Sequence, residues 1–146
     1  MRLAIVVSQF NPEVTEGLLA GAKAYLSDQG VVLDDNDIFM APGAFEMPLI
    51  AQQLAKTQKY GGVICLGCVI KGDTAHFEFI SAGATYGLMH ASLATGVPIT
   101  FGILTTYTDE QATQRSALDE HNKGREAAAA CVESLRTLRV IHELVI

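Results

Sequence analysis

Charge is scarce in this sequence, and positive charge is scarcer. Only 18% of the 146 residues are Asp, Glu, Lys or Arg, ten basic against sixteen acidic, for a net charge of −6. A phosphate backbone needs a basic face, so nucleic acid is not an expected partner. Polybasic and Pro-rich tails are missing too. No apolar run is long enough for a membrane-spanning helix; the longest are strand-sized and interrupted. The opening MRLAIVVSQF can be mistaken for a signal peptide, but its apolar stretch, Leu3 to Val7, is too short for one and no small-residue cleavage site follows. Cysteines are few and odd in number: Cys65, Cys68 and Cys131. That count, with no secretory signal, suggests reduced thiols in a cytosol. Cys65 and Cys68 form a C-x-x-C inside VICLGCVI, a continuous strand, whereas the redox motif needs a helix N-terminus. They read as small core residues. One such pair with no second pair or nearby histidines is a poor zinc site.

What is abundant is apolar side chain, 49% of the total, with a mean hydropathy of +0.27. A chain of this length makes one domain, residues 1–146, with a respectable core. So apolar a chain without a membrane span is expected to hide further surface in subunit contacts.

The apolar residues alternate between two periods. Leu3 to Val7 is a β-branched run and a buried strand. Thr15 is placed to cap a helix carrying Leu18, Leu19, Ala22, Tyr25 and Leu26 on one face, ended by Gly30. A short strand, Asp37 to Ala41, precedes the Pro42-Gly43 turn, and Pro48 suits the first turn of the next helix. Gly62 to Val69 is a third strand, apolar on both faces. Phe77 to Thr95 reads as helix and Pro98 to Leu104 as the fourth strand. TDEQ is a capping box, with Thr108 accepting from the amide of Gln111 and Gln111 reaching back, for a helix to about Ala117. A long Ala-rich helix runs from about Lys123 to Arg139. The sum is βαβαβαβ plus two helices: a four-stranded parallel sheet with helices on both faces, joined by right-handed crossovers.

Such a sheet binds ligands beyond the carboxyl ends of its strands, where strand order reverses. In the common order 2-1-3-4 that point lies between strands 1 and 3. Three unusual loops then crowd one edge: SQFN (Ser8 to Asn11), APGAFE (Ala41 to Glu46) and VIKGDTAH (Val69 to His76). Gly72-Asp73-Thr74 precedes a helix, so its amides and hydroxyl suit an anion; equally, Asp73 or Thr74 is an ordinary N-cap. His76 could be a general acid–base, since an imidazole side chain suits proton exchange near neutral pH, or equally a half-buried polar residue at a helix start. Phe10 could stack on a flat ring or fold into the core, and Asn11 could cap the first helix. Glu46 could accept hydroxyl hydrogen bonds or simply favour a helix N-terminus. Arg115 and Lys123 are cations able to hold a phosphate, or parts of a solvated helix face.

Six segments together resemble the 6,7-dimethyl-8-ribityllumazine synthase family: QFNPEVTEGLL, PGAFEMP, LGCVIKGDTAHFEFI, GVPITFGILTT, QATQR and NKGREAA. The match runs nearly end to end, and order and spacing carry it. The resemblance implies a three-layer flavodoxin-like α/β sandwich and condensation of 5-amino-6-(D-ribitylamino)uracil with 3,4-dihydroxy-2-butanone 4-phosphate through an imine. It implies that Phe10 stacks on the pyrimidine with Asn11 beside it, that Ala44, Phe45 and Glu46 line the ring and ribityl pocket, and that Val69, Ile70 and Lys71 give backbone contacts. Gly72, Asp73, Thr74 and Arg115 would hold the phosphate, His76 would shuttle protons, and Phe101 and Lys123 would come from a neighbouring subunit. No metal or organic cofactor is implied. The partners implied are the small-molecule substrates, four further copies in a homopentamer, with or without closure into a sixty-subunit icosahedral shell, and riboflavin synthase as a functional partner, all in the cytoplasm. RSALDEHNKG departs from the Gly-rich basic stretch of many relatives, and Asp119 and Glu120 weaken the case for a shell. Cys68 stands where Thr or Ala is common, and the N-terminus is short. A binding-only relative and a structural cage remain alternatives. A receiver-type signalling domain would need acidic residues where Ser8 and Val69 stand.

Overall fold

Strand β1 (Leu3–Ser8) is buried at all six positions, because its alternating side chains serve two cores. Leu3, Ile5 and Val7 enter one apolar cluster, while Ala4 and Val6 enter another. A computed structural model describes residues 1–144. In it β1 lies inside a four-stranded parallel sheet of order β2-β1-β3-β4, with β2 at Ile38–Ala41, β3 at Gly62–Ile70 and β4 at Ile99–Thr106. Helices α1 (Pro12–Asp28), α4 (Asp109–Ser116) and α5 (Lys123–Glu143) cover the first face, and α2 (Met47–Lys56) and α3 (His76–Thr95) the second. Sheet order and layering agree with the expectation from the sequence, and the architecture is flavodoxin-like. Among the described residues, no helix is long and apolar enough to cross a membrane.

Local chemistry moves several element ends. The first helix begins at Pro12, so Thr15 is not its cap. Thr15 is buried one turn in, its hydroxyl donating back to the Pro12 carbonyl at 3.3 Å. β2 starts one residue late because Asp37 closes a 3₁₀ turn capped by Asp34. At α4, Thr108 Oγ1 does accept from the Gln111 amide, at 3.1 Å, but Gln111 Oε1 reaches past Thr108 to the Tyr107 amide, at 2.8 Å. The box is one residue wider than its usual form. β4 continues to Thr106 and α5 to Glu143, both beyond the expected ends.

The three thiols are buried, as expected of core residues. Burial pushes Cys68 up to about 11 and Cys131 to about 12, with Cys65 higher still. Such groups stay protonated and inert at neutral pH.

At the amino-terminal end of the sheet one buried carboxylate ties three segments. Asp37 Oδ1 accepts from Arg2 Nε at 3.1 Å, from Arg2 Nη2 at 2.9 Å and from the Tyr60 hydroxyl at 2.9 Å. Its other oxygen accepts from the Asp34 amide at 3.2 Å. Burial alone would raise the Asp37 carboxyl; the hydrogen bonds from Arg2, Tyr60 and Asp34 outweigh it and hold the group below its ordinary value. A carboxyl so depressed adds stability that is complete above the unfolded-state value and vanishes as pH falls through the folded one. Asp37→Ala leaves the Tyr60 hydroxyl buried without a partner and is expected to cost about 2–3 kcal/mol in urea unfolding at neutral pH. The advantage of the wild type over Asp37→Asn should hold at neutral pH and shrink only below a pH of about 4.

Candidate active site

The chain leaves β1 toward one face of the sheet and leaves β3 toward the other, so a crevice opens where they part. Asn11 spans it. Its backbone is left-handed, at φ 56° and ψ 59°, a conformation asparagine tolerates better than most residues. Its side chain does not cap α1; Nδ2 turns across the crevice and donates to the Cys68 carbonyl at 3.2 Å. That bond ties the loop after β1 to the end of β3.

Above it lies a cavity of about 440 Å³ lined by Phe10, Asn11, Gly43, Ala44, Phe45, Glu46, Cys68, Val69, His76 and Ile80. All three predicted loops contribute. Phe10 is 65% exposed and has not folded into the core. Its ring and the Glu46 carboxylate close over Gly43, where a Cβ would meet each at 3.2 Å. Phe45 rests on Gly83 of α3 in the same way, at 3.1 Å. Aromatic surface and a carboxylate thus frame one opening, with the exposed His76 opposite, at the first position of α3. Ile70 points elsewhere, packing on the α1–α5 side, so only its backbone is available to a ligand here.

The bend from Val69 to His76 differs in detail from its expected form. α3 starts at His76, and Ala75, not Asp73 or Thr74, occupies the N-cap position, without a side-chain cap. Thr74 Oγ1 accepts instead from the His76 amide at 3.3 Å. Among the described residues, the amides of Gly72, Asp73 and Thr74 donate to nothing. Three free N–H groups in a bend leading into a 20-residue helix suit an anion.

Phe101, Arg115 and Lys123 do not join this cavity. They line a second one, of about 310 Å³, along the free edge of β4, together with Thr106, Glu126 and Ala127. Within one chain, Arg115 therefore stands with Phe101 and Lys123 rather than with Gly72, Asp73 and Thr74. Arg115 Nη1 donates to the Gln111 carbonyl at 3.0 Å, and Lys123 Nζ pairs with Glu126 at 3.1 Å. The Thr106 hydroxyl is buried at this cavity and, among the described residues, has no hydrogen-bond partner. Among the described residues, no three His, Cys, Asp or Glu gather as a metal-binding group.

The residue that fixes this second group opens the NKGREAA segment, where the sequence alone assigns it no role. Asn122 is 1% exposed. Its Nδ2 faces the carbonyls of Gly17, Ser116 and Ala117 at 3.0, 3.1 and 2.9 Å, and its Oδ1 caps α5 by accepting from the Arg125 amide at 3.0 Å. It stitches α1, the end of α4 and the start of α5, and so sets Arg115 and Lys123. The available signal was an asparagine just before an Ala-rich helix, the ordinary N-cap position.

Strand order, crevice and loop chemistry define a flavodoxin-like α/β protein with a candidate ligand cavity at the switch point. A family profile described as 6,7-dimethyl-8-ribityllumazine synthase matches residues 1–139. Among similar proteins, 6,7-dimethyl-8-ribityllumazine synthase 1 of Caulobacter vibrioides is 65% identical over 97% of this chain and 93% of its own. The 6,7-dimethyl-8-ribityllumazine synthase of Nitratidesulfovibrio vulgaris is 47% identical over 94% and 88%, and that of Deinococcus radiodurans 42% over 97% and 91%. The chain belongs to the 6,7-dimethyl-8-ribityllumazine synthase family, enzymes of riboflavin biosynthesis.

Asn122→Ala is expected to cost about 2–4 kcal/mol in urea unfolding, since it removes a cap and strands buried carbonyls. Asn122→Asp keeps the cap oxygen but loses the donors, and should be no more stable than the alanine variant.

Proposed function

We propose that this protein condenses 5-amino-6-(D-ribitylamino)uracil with 3,4-dihydroxy-2-butanone 4-phosphate, releasing phosphate and water, at sites shared between adjacent copies of the chain. The observation that carries this is the division of the site. One cavity holds aromatic rings, a carboxylate and an imidazole, beside three free amides; the other holds an aromatic ring and two cations. Among the described residues, the first has no Lys or Arg in its lining, and the second has no imidazole.

In this reading Phe10 stacks on the pyrimidine, and Glu46 accepts from ribityl hydroxyls. The backbone of Val69, Ile70 and Lys71 meets the ring edge. The amine attacks the ketone, a first water leaves to form the imine, phosphate is eliminated, and the ribityl-bearing nitrogen closes the ring on the carbonyl so formed, with loss of a second water. His76 moves protons between these steps. The amides of Gly72, Asp73 and Thr74 and the cations Arg115 and Lys123 stabilise the departing phosphate, with Phe101 closing the ring pocket from the neighbour. Stacking and anion capture supply proximity, and the amine is already a good nucleophile, so no single residue carries the whole rate.

Sharing requires assembly. On α3, Phe79, Ala82, Tyr86, Met89 and Leu93 are all exposed, and their spacing alternates between three and four. The large ones are 60–77% exposed. A heptad stripe of this kind packs against helices of the same kind. It supports copies arranged with their α3 helices about one axis, a homopentamer as in the family resemblance. Asp119 and Glu120 are exposed in the turn before α5 and offer no basic contact for closure into a shell. Free, buried thiols suit a cytoplasmic protein, and riboflavin synthase would consume the product.

Purified protein mixed with both substrates should give lumazine absorbance and fluorescence above the spontaneous rate. His76→Ala should lower turnover by about tenfold to a hundredfold without abolishing it. Phe10→Ala and Arg115→Ala should each be poor alone, whereas mixed oligomers of the two should recover activity, because some interfaces then combine two intact halves. No recovery on verified mixing would rule out shared sites. A Met89→Glu, Leu93→Glu double variant should keep its circular dichroism yet fall to monomer mass in light scattering, with activity lost.

A further inference from the structure

We propose that Tyr107 is the positioning residue for the anion-holding bend from Lys71 to Ala75. This rests on the reading of that bend as the phosphate site. Every residue from Lys71 to His76 is exposed, so burial does not fix the bend's shape. Its start hangs on one backbone bond, the Lys71 amide to the Thr106 carbonyl at 2.9 Å. Three amides that must converge on an anion need more restraint than that, because a loosely held donor array loses the advantage of preorganisation.

The ring of Tyr107, the residue after Thr106, supplies the restraint. At one side the Lys71 ammonium lies 5.5 Å from its centroid. At the other, Phe77 packs on it with centroids 6.0 Å apart and planes tilted by 42°. Phe77 is buried in the first turn of α3, only 9% exposed. One ring therefore touches both ends of the bend and sets the gap between the end of β3 and the start of α3. The backbone that carries the ring is itself held, since the Tyr107 amide donates to Gln111 Oε1 at 2.8 Å and the Gln111 amide donates to Thr108 Oγ1. Glu78 Oε1, at 3.9 Å from Lys71 Nζ, completes the seat for the ammonium. Lys71 is thereby drawn to the β4 side, its charge beside the bend.

Tyr107 is 66% exposed, and among the described residues its hydroxyl makes no hydrogen bond. The ring face, not the hydroxyl, does the positioning, so phenylalanine should replace it and an aliphatic residue should not. A residue of purely structural value would behave differently: its loss would lower stability and affect both substrates alike.

The experiment compares wild type, Tyr107→Phe, Tyr107→Ala and Tyr107→Leu. Calorimetry reads the binding of inorganic phosphate, and steady-state kinetics read KM for each substrate separately. Melting temperature and light scattering check fold and assembly. Tyr107→Ala and Tyr107→Leu should weaken phosphate binding and raise KM for the butanone phosphate by about three- to fivefold, the scale of an exposed cation–π contact plus lost order. KM for the pyrimidine should stay within about twofold, kcat should fall by no more than about three- to fivefold because the same amides face the departing phosphate, and Tyr107→Phe should match wild type. Unchanged phosphate affinity, equal movement of both KM values, or a phenylalanine variant as poor as alanine would each overturn the assignment. The two readings fail separately. A wild type that forms no lumazine but binds phosphate in a Tyr107-dependent way refutes the condensation and keeps the positioning role. An active wild type indifferent to position 107 does the reverse.

Discussion

The structure turns on a contact with no side chain in it. At Gly124 a Cβ would run into the carbonyl of Leu18, so α5 meets α1 backbone to backbone at its first turn. Gly17 and Gly21 make the same allowance on the α1 side, against Ser116 and Asn122. Asn122 fills the corner that these absences open, and spends its amide on carbonyls from α1 and from the end of α4. A buried carboxamide satisfied at both ends is directional in a way that apolar packing is not. It fixes where α4 stops and where α5 starts, and hence the height at which Arg115 and Lys123 stand along β4. Apolar burial of Leu18, Ala128 and Val132 holds the two helices together; the glycines and the asparagine decide their register.

What a sequence makes legible follows from the range of each interaction. Strands β1 and β3 were readable because a strand buried on both faces must be a continuous apolar run, as LAIVV and GVICLGCVI are. The crowding of three loops followed from topology alone, and so Phe10, Ala44, Phe45, Glu46 and His76 could be brought together without coordinates. Long-range hydrogen bonds left no such mark. Asn11 reaches Cys68 rather than capping its own helix, and Asn122 reaches Gly17 across 105 positions. The misplaced Thr15 cap has a plain cause. Pro12 is an ideal first helical residue, and the left-handed Asn11 lets the helix start there, which buries Thr15. Within one chain Arg115 stands apart from the Gly72–Thr74 bend; spacing along a chain cannot say which side of β4 a helix will hang from.

The divided site also gives the exposed apolar surface a physical meaning. Isolated, the chain leaves Phe79, Tyr86, Met89 and Leu93 in water on one helix, and leaves the eight-residue β4 as an open sheet edge. Both are liabilities for a lone domain. The proposed reaction places a matching demand, because a heterocycle and a phosphate together need aromatic, proton-transferring and cationic groups, and these stand in two places. If the surfaces that must be hidden are those that bring the halves together, association and activity share one free-energy source. A mutation on α3, remote from His76 in chemistry, then acts on rate through the population of complete sites rather than through any step of the reaction. That separates assembly defects from catalytic ones. The first should be relieved by raising protein concentration, by mass action on the oligomer, and the second should not.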